Sequence, residues 1–326
     1  MDALKIAITG ANGFVGSNLT RYLMKQGYNV SALVRKTGNV ALLPVKSKMV
    51  EVDYNNPDSI RAAFQGQNII IHCAALTRAQ NWEQMRETNV GLTEKLVNIA
   101  NEIESINQFI YLSSQAAAGM SSKDRPRTEE DLPAPVTWYG KSKLMAEEII
   151  KNRLLKEWTI IRPVSVYGPG DKDFLETFKM LKNHISVSLG LKDKYINLIY
   201  VDELTYFINL CIENKAALHQ VFFAADGQIY THKMFSDALQ SAVNTFSLHF
   251  SVPDVLTFYA AALGELRNKI QPSSSILTLQ KFKELTGRYW TVSIEKARRL
   301  LNFNPQPNLV QNLNKTWLWY KEQGWL

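Results

Sequence analysis

The chain is poor in cysteine. Cys73 and Cys211 are the only two among 326 residues, so no disulfide framework holds it together. That scarcity points to a reducing, cytoplasmic compartment. Histidine is scarce as well, and the five present lack the spacing of a metal-ligand set, so no metal centre is expected. His72 follows an isoleucine-rich run and reads as a packed residue rather than a ligand. No apolar stretch is long enough to span a bilayer. The opening LKIAITG reads directly as a strand, with no removable signal peptide ahead of it. Internal repeats and low-complexity tracts do not stand out. The net charge of +7 is spread over basic residues scattered among acidic ones, which argues against a nucleic-acid partner.

What is present is ordinary globular composition, 46% hydrophobic and 21% charged, in a length that suits a large domain with a smaller one. Apolar runs without polar alternation predict strands at Leu4–Thr9, Asn29–Val34, Met49–Val52, Ile69–His72, Phe109–Ser113 and Thr159–Arg162. Such runs suit a parallel sheet buried on both faces. Between them, Leu92, Leu96, Ile99, Ala100 and Ile103 recur at helical spacing. The alternation predicts an α/β Rossmann fold, a doubly wound parallel sheet over residues 1–170. After Tyr167-Gly168-Pro169-Gly170 the periodicity breaks. Helices are expected near 173–183, 202–213 and 231–244. Val221–Ala225 should return to the sheet, placing 201–226 with the first domain. Residues 171–200 and 227–326 read as a smaller, mostly helical lobe that binds substrate.

Directly after the first strand stands Gly10-Ala11-Asn12-Gly13-Phe14-Val15-Gly16. Gly10 permits the tight turn and Gly13 lets backbone approach a pyrophosphate. Gly16 lets helix and strand pack closely, and the helix N-terminus supplies amide donors. A GxxGxxG turn in this strand–turn–helix context predicts dinucleotide binding. The second strand ends in Val34-Arg35-Lys36, where an NAD site usually carries an acid. A guanidinium there can grip a 2′-phosphate, so NADP is favoured over NAD.

Tyr139 and Lys143 lie four apart at the start of a helical pattern and share one face. A phenol is a poor base at neutral pH, and a nearby ammonium favours its ionised form. Ser113 and Ser114 end the fifth strand, where a hydroxyl can hold a substrate oxygen or cap a helix.

Together these residues resemble the extended short-chain dehydrogenase/reductase superfamily over nearly the whole chain. GANGFVG matches its glycine motif, VEVDY its adenine-contacting acid Asp53, and HCAA its segment beneath the cofactor. ETNVG matches its structural asparagine, Asn89, and YLSS followed by YGKSK its catalytic serine, tyrosine and lysine. IRPVSVYGPG matches the segment that closes over the nicotinamide. The resemblance implies Ser114, Tyr139 and Lys143 as catalytic residues. It implies a cofactor site built from Gly10, Asn12, Gly13, Phe14, Val15, Gly16, Arg35, Lys36, Asp53 and Tyr54. Cys73, Ala74, Ala75, Thr77, Asn89, Tyr139, Lys143, Pro163 and Val166 complete it.

Two branches compete within that superfamily. ALVR and YGPGDKDF are similar to the dihydroflavonol reductase and 3β-hydroxysteroid dehydrogenase-like branch, which makes reduction of a carbonyl, or its reverse, the leading expectation. The nucleotide-sugar epimerase and dehydratase branch carries an Arg where this chain has Asn197, and its dehydratases an acid where this chain has Gln115. A third reading, a dinucleotide-sensing regulator without catalysis, fits poorly with a chain that keeps both Tyr139 and Lys143. Thr77, Arg78, Gln115, Tyr167 and Phe174 are the candidate contacts to a small-molecule substrate, a sugar or a polycyclic alcohol. Leu256–Leu266 reads as pocket lining or core, with a membrane-surface helix as the other reading. Relatives dimerise through the helices after Asn89 and Tyr139, which makes a homodimer possible here.

Overall fold

The computed structural model describes residues 3–190, 192–270 and 279–326. Its centre is a sheet of seven strands: β1 (Lys5–Thr9), β2 (Asn29–Val34), β3 (Lys48–Glu51), β4 (Ile69–His72), β5 (Gln108–Leu112), β6 (Glu157–Pro163) and β7 (Gln220–Ala224). Their order is β7-β6-β5-β4-β1-β2-β3, and every neighbouring pair is parallel. Each expected strand is present, Asn29–Val34 and Ile69–His72 with the expected ends and the others with ends displaced by one or two residues. Ile6 and Ile8 of β1 pack into one core and Ala7 into the other; Ile69 and Ile71 divide from Ile70 in the same way. Both faces are therefore covered, as the unalternating apolar runs require.

Helices cover both faces, α1 (Phe14–Lys25) together with Val201–Leu210 on one, and α2 (Pro57–Phe64), α3 (Leu92–Glu102) and α4 (Trp138–Arg153) on the other. Thr137 caps α4, its hydroxyl accepting from Gly140 N at 3.1 Å. Lys151 and Arg153 lie in the last turn of α4, where cations suit the helix dipole. A π-helical turn, Glu87–Gly91, leads into α3 and turns Asn89 inward.

The remaining chain differs from expectation. Helices form at Asp173–Lys182, Val201–Leu210 and His232–Val243, but three small sheets lie among them. Ser165–Tyr167 pairs with Leu198–Tyr200, and Ile185–Leu189 with Leu248–Val252. Tyr195–Ile196 lies between Tyr230–Thr231 and Tyr289–Trp290. Strands of two or three residues are too short for a period to register in sequence, and the two five-residue strands here are broken by serine and histidine rather than continuously apolar. The 254–270 helix corrects a second expectation. Thr257 and Ala261 are buried, whereas Leu256, Phe258, Tyr259 and Leu263 are exposed, so these four are not core. The side chains at 260, 265 and 266 lie outside the described residues. Among the described residues no helix is long and apolar enough to cross a membrane.

At the C-terminal edge of the sheet His72 is fully enclosed. The Thr93 hydroxyl donates to Asn89 O at 2.7 Å, so it accepts from His72 Nε2 at 3.1 Å. That leaves His72 Nδ1 to accept from the Thr9 hydroxyl at 2.7 Å. The imidazole thus binds β1, β4 and α3 as a neutral, packed group, and burial, then the nearby Lys143 ammonium, hold its pKa down at about 3. Between 6.5 and 3 the unfolded chain takes up a proton that the folded state refuses, so stability falls as pH drops through this window. Thermal melts against pH should give a shallower acid slope for His72→Gln than for wild type; equal slopes would contradict the assignment.

Candidate functional site

The turn between β1 and α1 leaves no room for a side chain at Gly10 or Gly16. Gly10 has φ +67°, and a Cβ there would meet Ala74 N at 2.7 Å. A Cβ on Gly16 would lie 2.2 Å from Gly10 O. Gly13 donates its N–H to Gly10 O at 3.0 Å and opens α1 with no side-chain cap, so the first helical amides, from Phe14 to Gly16, form a bare donor cradle. This cradle fits the pyrophosphate of a dinucleotide. Phe14 and Val15 are half-buried, Val15 against the core, and Asn12 Nδ2 donates to Asn39 O at 3.0 Å, holding the loop after β2 beside the turn.

Arg35 and Lys36 are exposed at the end of β2. Asp53 is also exposed and accepts from Asn55 N at 2.9 Å. Burial drives the Tyr54 pKa up, opposed by the charge of Arg35 and by a hydrogen bond with the Gly10 backbone. Cys73 and Ala74 are half-buried and Ala75 exposed, in the loop leaving β4. Burial pushes the Cys73 thiol up to about 12. Asn89 holds the far side of that loop. Its Oδ1 accepts from Leu76 N at 2.7 Å, and its Nδ2 donates to Leu76 O and to Ser142 Oγ, both at 2.9 Å. Asn89 therefore fastens the loop to α4, a bracing position behind the cofactor cleft. Pro163 closes β6 in register with Ala224, and Val166 is half-buried beyond it.

Ser114, Tyr139 and Lys143 come together where β5 meets α4. Both readings of Ser114 apply at once: its Oγ accepts from Ala116 N at 3.1 Å, capping the Gln115–Ala118 turn, and it shares a hydrogen bond with the Tyr139 phenol. The electrostatics correct one expectation. Burial is the largest influence on the phenol, pushing Tyr139 up to about 12, against the Ser114 hydrogen bond and with help from the Glu284 carboxylate. Lys143 is itself 1% exposed and donates to Leu112 O at 2.6 Å, with its ammonium 4.3 Å from the Tyr111 ring centre. Burial lowers its pKa to about 7 against the opposing pull of Cys73 and Glu147.

The substrate candidates separate. Thr77 and Arg78 are exposed at the cleft, and Arg78 is paired with Asp173 at 2.5 Å across it. Gln115 is buried beside Ser114, and among the described residues its Nε2 has no hydrogen-bond partner, so a donor stands ready there. Tyr167 is 2% exposed and packs on Tyr200 and Phe174 at 5.4 and 6.0 Å, a core residue rather than a contact. Phe174 is half-buried against it. Asn197 is buried, its Oδ1 accepting from Val292 N at 2.6 Å and its Nδ2 donating to Gln228 O.

Three residues escaped the sequence reading. Glu147 and Arg162 form a buried ion pair beneath the site, and Glu284 faces Tyr139 from the C-terminal lobe. A charge within each apolar pattern was the available signal for the first two. Nothing local marks Glu284.

The model of the NAD dependent epimerase/dehydratase family matches residues 6–223. The chain is 27% identical to a decarboxylating sterol-4-alpha-carboxylate 3-dehydrogenase of Dictyostelium discoideum, over 95% of this chain and 99% of that protein. It is 31% identical to a UDP-glucose 4-epimerase of Vibrio cholerae, over 95% and 94%. Among solved structures, MoeE5 in complex with UDP-glucuronic acid and NAD superposes with a TM-score of 0.79 at 18% identity, covering 98% of this chain and 99% of that one; at that identity the likeness shows the fold.

Gly16→Ala is expected to cost about 3 kcal/mol, since a methyl group must displace the Gly10 carbonyl, and to abolish dinucleotide binding. Melting curves with and without NADPH check both; a variant with wild-type melting and a ligand-induced shift would show that the cradle is open.

Proposed function

The chain belongs to the NAD dependent epimerase/dehydratase family, within the extended short-chain dehydrogenase/reductase superfamily, and on that premise we propose that it interconverts a carbonyl and a secondary alcohol by hydride transfer. The observation that carries this reading is the hydrogen-bonded Ser114–Tyr139 pair with Lys143 one turn further on, set at the sheet edge beside the glycine cradle. A bound nicotinamide supplies the hydride acceptor or donor. Tyr139 Oη takes the hydroxyl proton when the alcohol is oxidised and returns it to the oxygen on reduction. Ser114 Oγ holds that oxygen in place, and the unpartnered Gln115 amide donates to a second oxygen of the substrate. Lys143 supplies the positive charge that favours a phenolate once its ammonium is engaged by a ribose. Raised and lowered pKa values on adjacent groups suit a site that must move a proton near neutral pH.

NADP is the cofactor favoured by this reading, through Arg35 and Lys36 at the end of β2. Asn197 supports a substrate without a diphosphate, because both ends of its amide are engaged within the protein and no cation stands in its place. The second reading is a nucleotide-sugar epimerase, favoured by the 31% identity to the Vibrio cholerae enzyme. It uses the same Tyr139 proton transfer twice.

Calorimetry with NADPH, NADH, UDP and UDP-glucose separates the two. The reductase reading expects NADPH to bind at least about tenfold more tightly than NADH, about 1.4 kcal/mol, with no heat from either UDP compound. Saturable UDP-glucose binding would make the epimerase the better reading. With a turned-over substrate in hand, Tyr139→Phe should lower kcat about 10²- to 10⁴-fold; unchanged turnover would remove Tyr139 from the mechanism.

A further inference from the structure

Beneath the catalytic groups lies a charged cluster that the reaction does not use directly. Glu147 is fully buried on α4, one turn beyond Lys143. Arg162 of β6, 2% exposed, grips it with two bonds: Nε donates to Oε1 at 2.9 Å and Nη2 to Oε2 at 2.6 Å. Ser113 of β5 donates its hydroxyl to the same Oε1 at 2.5 Å. One carboxylate thus ties three elements: the strand that delivers Ser114, the helix that delivers Tyr139 and Lys143, and the strand that leads into Pro163. Removing an ion pair of such cost from a core is often neutral or favourable to stability, so stability alone is a poor reason for it.

We propose that Glu147, with Arg162 and Ser113, is the positioning element of the catalytic site, fixing the register of α4 against β5 so that Ser114, Tyr139 and Lys143 meet. The inference rests on the assignment of those three as catalytic. The helical spacing places Glu147 on the same face as Lys143 and Tyr139, so a rotation of α4 that loosens Glu147 moves all three together. Fixed geometry of this kind matters because a displacement near 1 Å costs about 100-fold in rate. Glu147 also acts on Lys143 through space. The groups facing the Lys143 ammonium are His72 and Cys73 from β4 and the loop after it, the Tyr111 ring and Leu112 carbonyl from β5, and Glu147 on its own helix. Glu147 is the carboxylate of that set, and it favours the ammonium.

The test needs no substrate. Lysine labelled with 13C at Cε is followed by NMR against pH, with Lys143 assigned by its loss in Lys143→Met. Two variants are compared with wild type: Glu147→Gln, which keeps the shape and removes the charge, and Glu147→Leu/Arg162→Met, which replaces the pair by apolar groups. In whichever variant folds, the Lys143 midpoint should fall by about one pH unit, and NADPH affinity should weaken at least about threefold, since Lys143 no longer meets the ribose in register. An unchanged midpoint with unchanged affinity in a folded variant overturns the proposal. Failure of both variants to fold would also overturn it, assigning the pair to the fold alone. Wild-type protein that binds no dinucleotide counts instead against the oxidoreductase reading, a different result from an unmoved lysine.

Discussion

Burial of the sheet on both faces is the constraint from which the rest of this structure follows. Ile6, Ile8, Ile69 and Ile71 face one core while Ala7, Ile70 and Phe109 face the other. No polar side chain can reach solvent through such a sheet, so chemistry is confined to the edge where the parallel strands end. Polar groups just inside that edge must find partners within the protein. His72 finds two threonines, Lys143 the Leu112 carbonyl, and Glu147 the side chains of Arg162 and Ser113. The site is therefore built outward from a layer of satisfied polar groups.

The same desolvation sets the electrostatics. It raises a phenol and lowers an ammonium, and here it does both to neighbours: Tyr139 is pushed up to about 12 and Lys143 down to about 7. Neither group is left at its ordinary value, and the two shifts move the pair apart on the pH scale. A modest added charge in the cleft then has a large lever, because the dielectric around these groups is low.

The C-terminal lobe is bound to this edge by backbone as well as side chains. Ser121 N donates to Tyr289 O at 2.9 Å, Arg127 N to Thr291 O at 2.9 Å, and Ser293 N to Arg127 O at 2.8 Å. The loop that precedes α4 is thus stitched to residues far ahead in sequence, and the same lobe brings the Glu284 carboxylate to act on Tyr139. Arg78 and Asp173 close the cleft from opposite sides.

The order of strands and helices, the glycine turn and the Tyr139–Lys143 spacing were legible in the sequence because each depends on neighbours within a few residues. Apolar period, a turn that only glycine fits and a four-residue helical step are local physics. The strands at 195–200 were not legible, since two or three residues carry no period, and that at 185–189 lacks the continuous apolar run that marked the central sheet. Protonation was not legible either: a tyrosine and a lysine four apart suggest mutual charge, but the enclosure around them made burial the larger effect. Tyr167 passed into the core and Leu256 out to solvent for the same reason, since exposure is decided by what packs from elsewhere. The Glu147–Arg162 pair joins a helix to the strand that follows it, and only the tertiary structure shows that both charges are dry. Sequence determined the scaffold and its reactive residues; three-dimensional packing decided their solvation, charge and alignment, because those depend on long-range neighbours that no local spacing encodes.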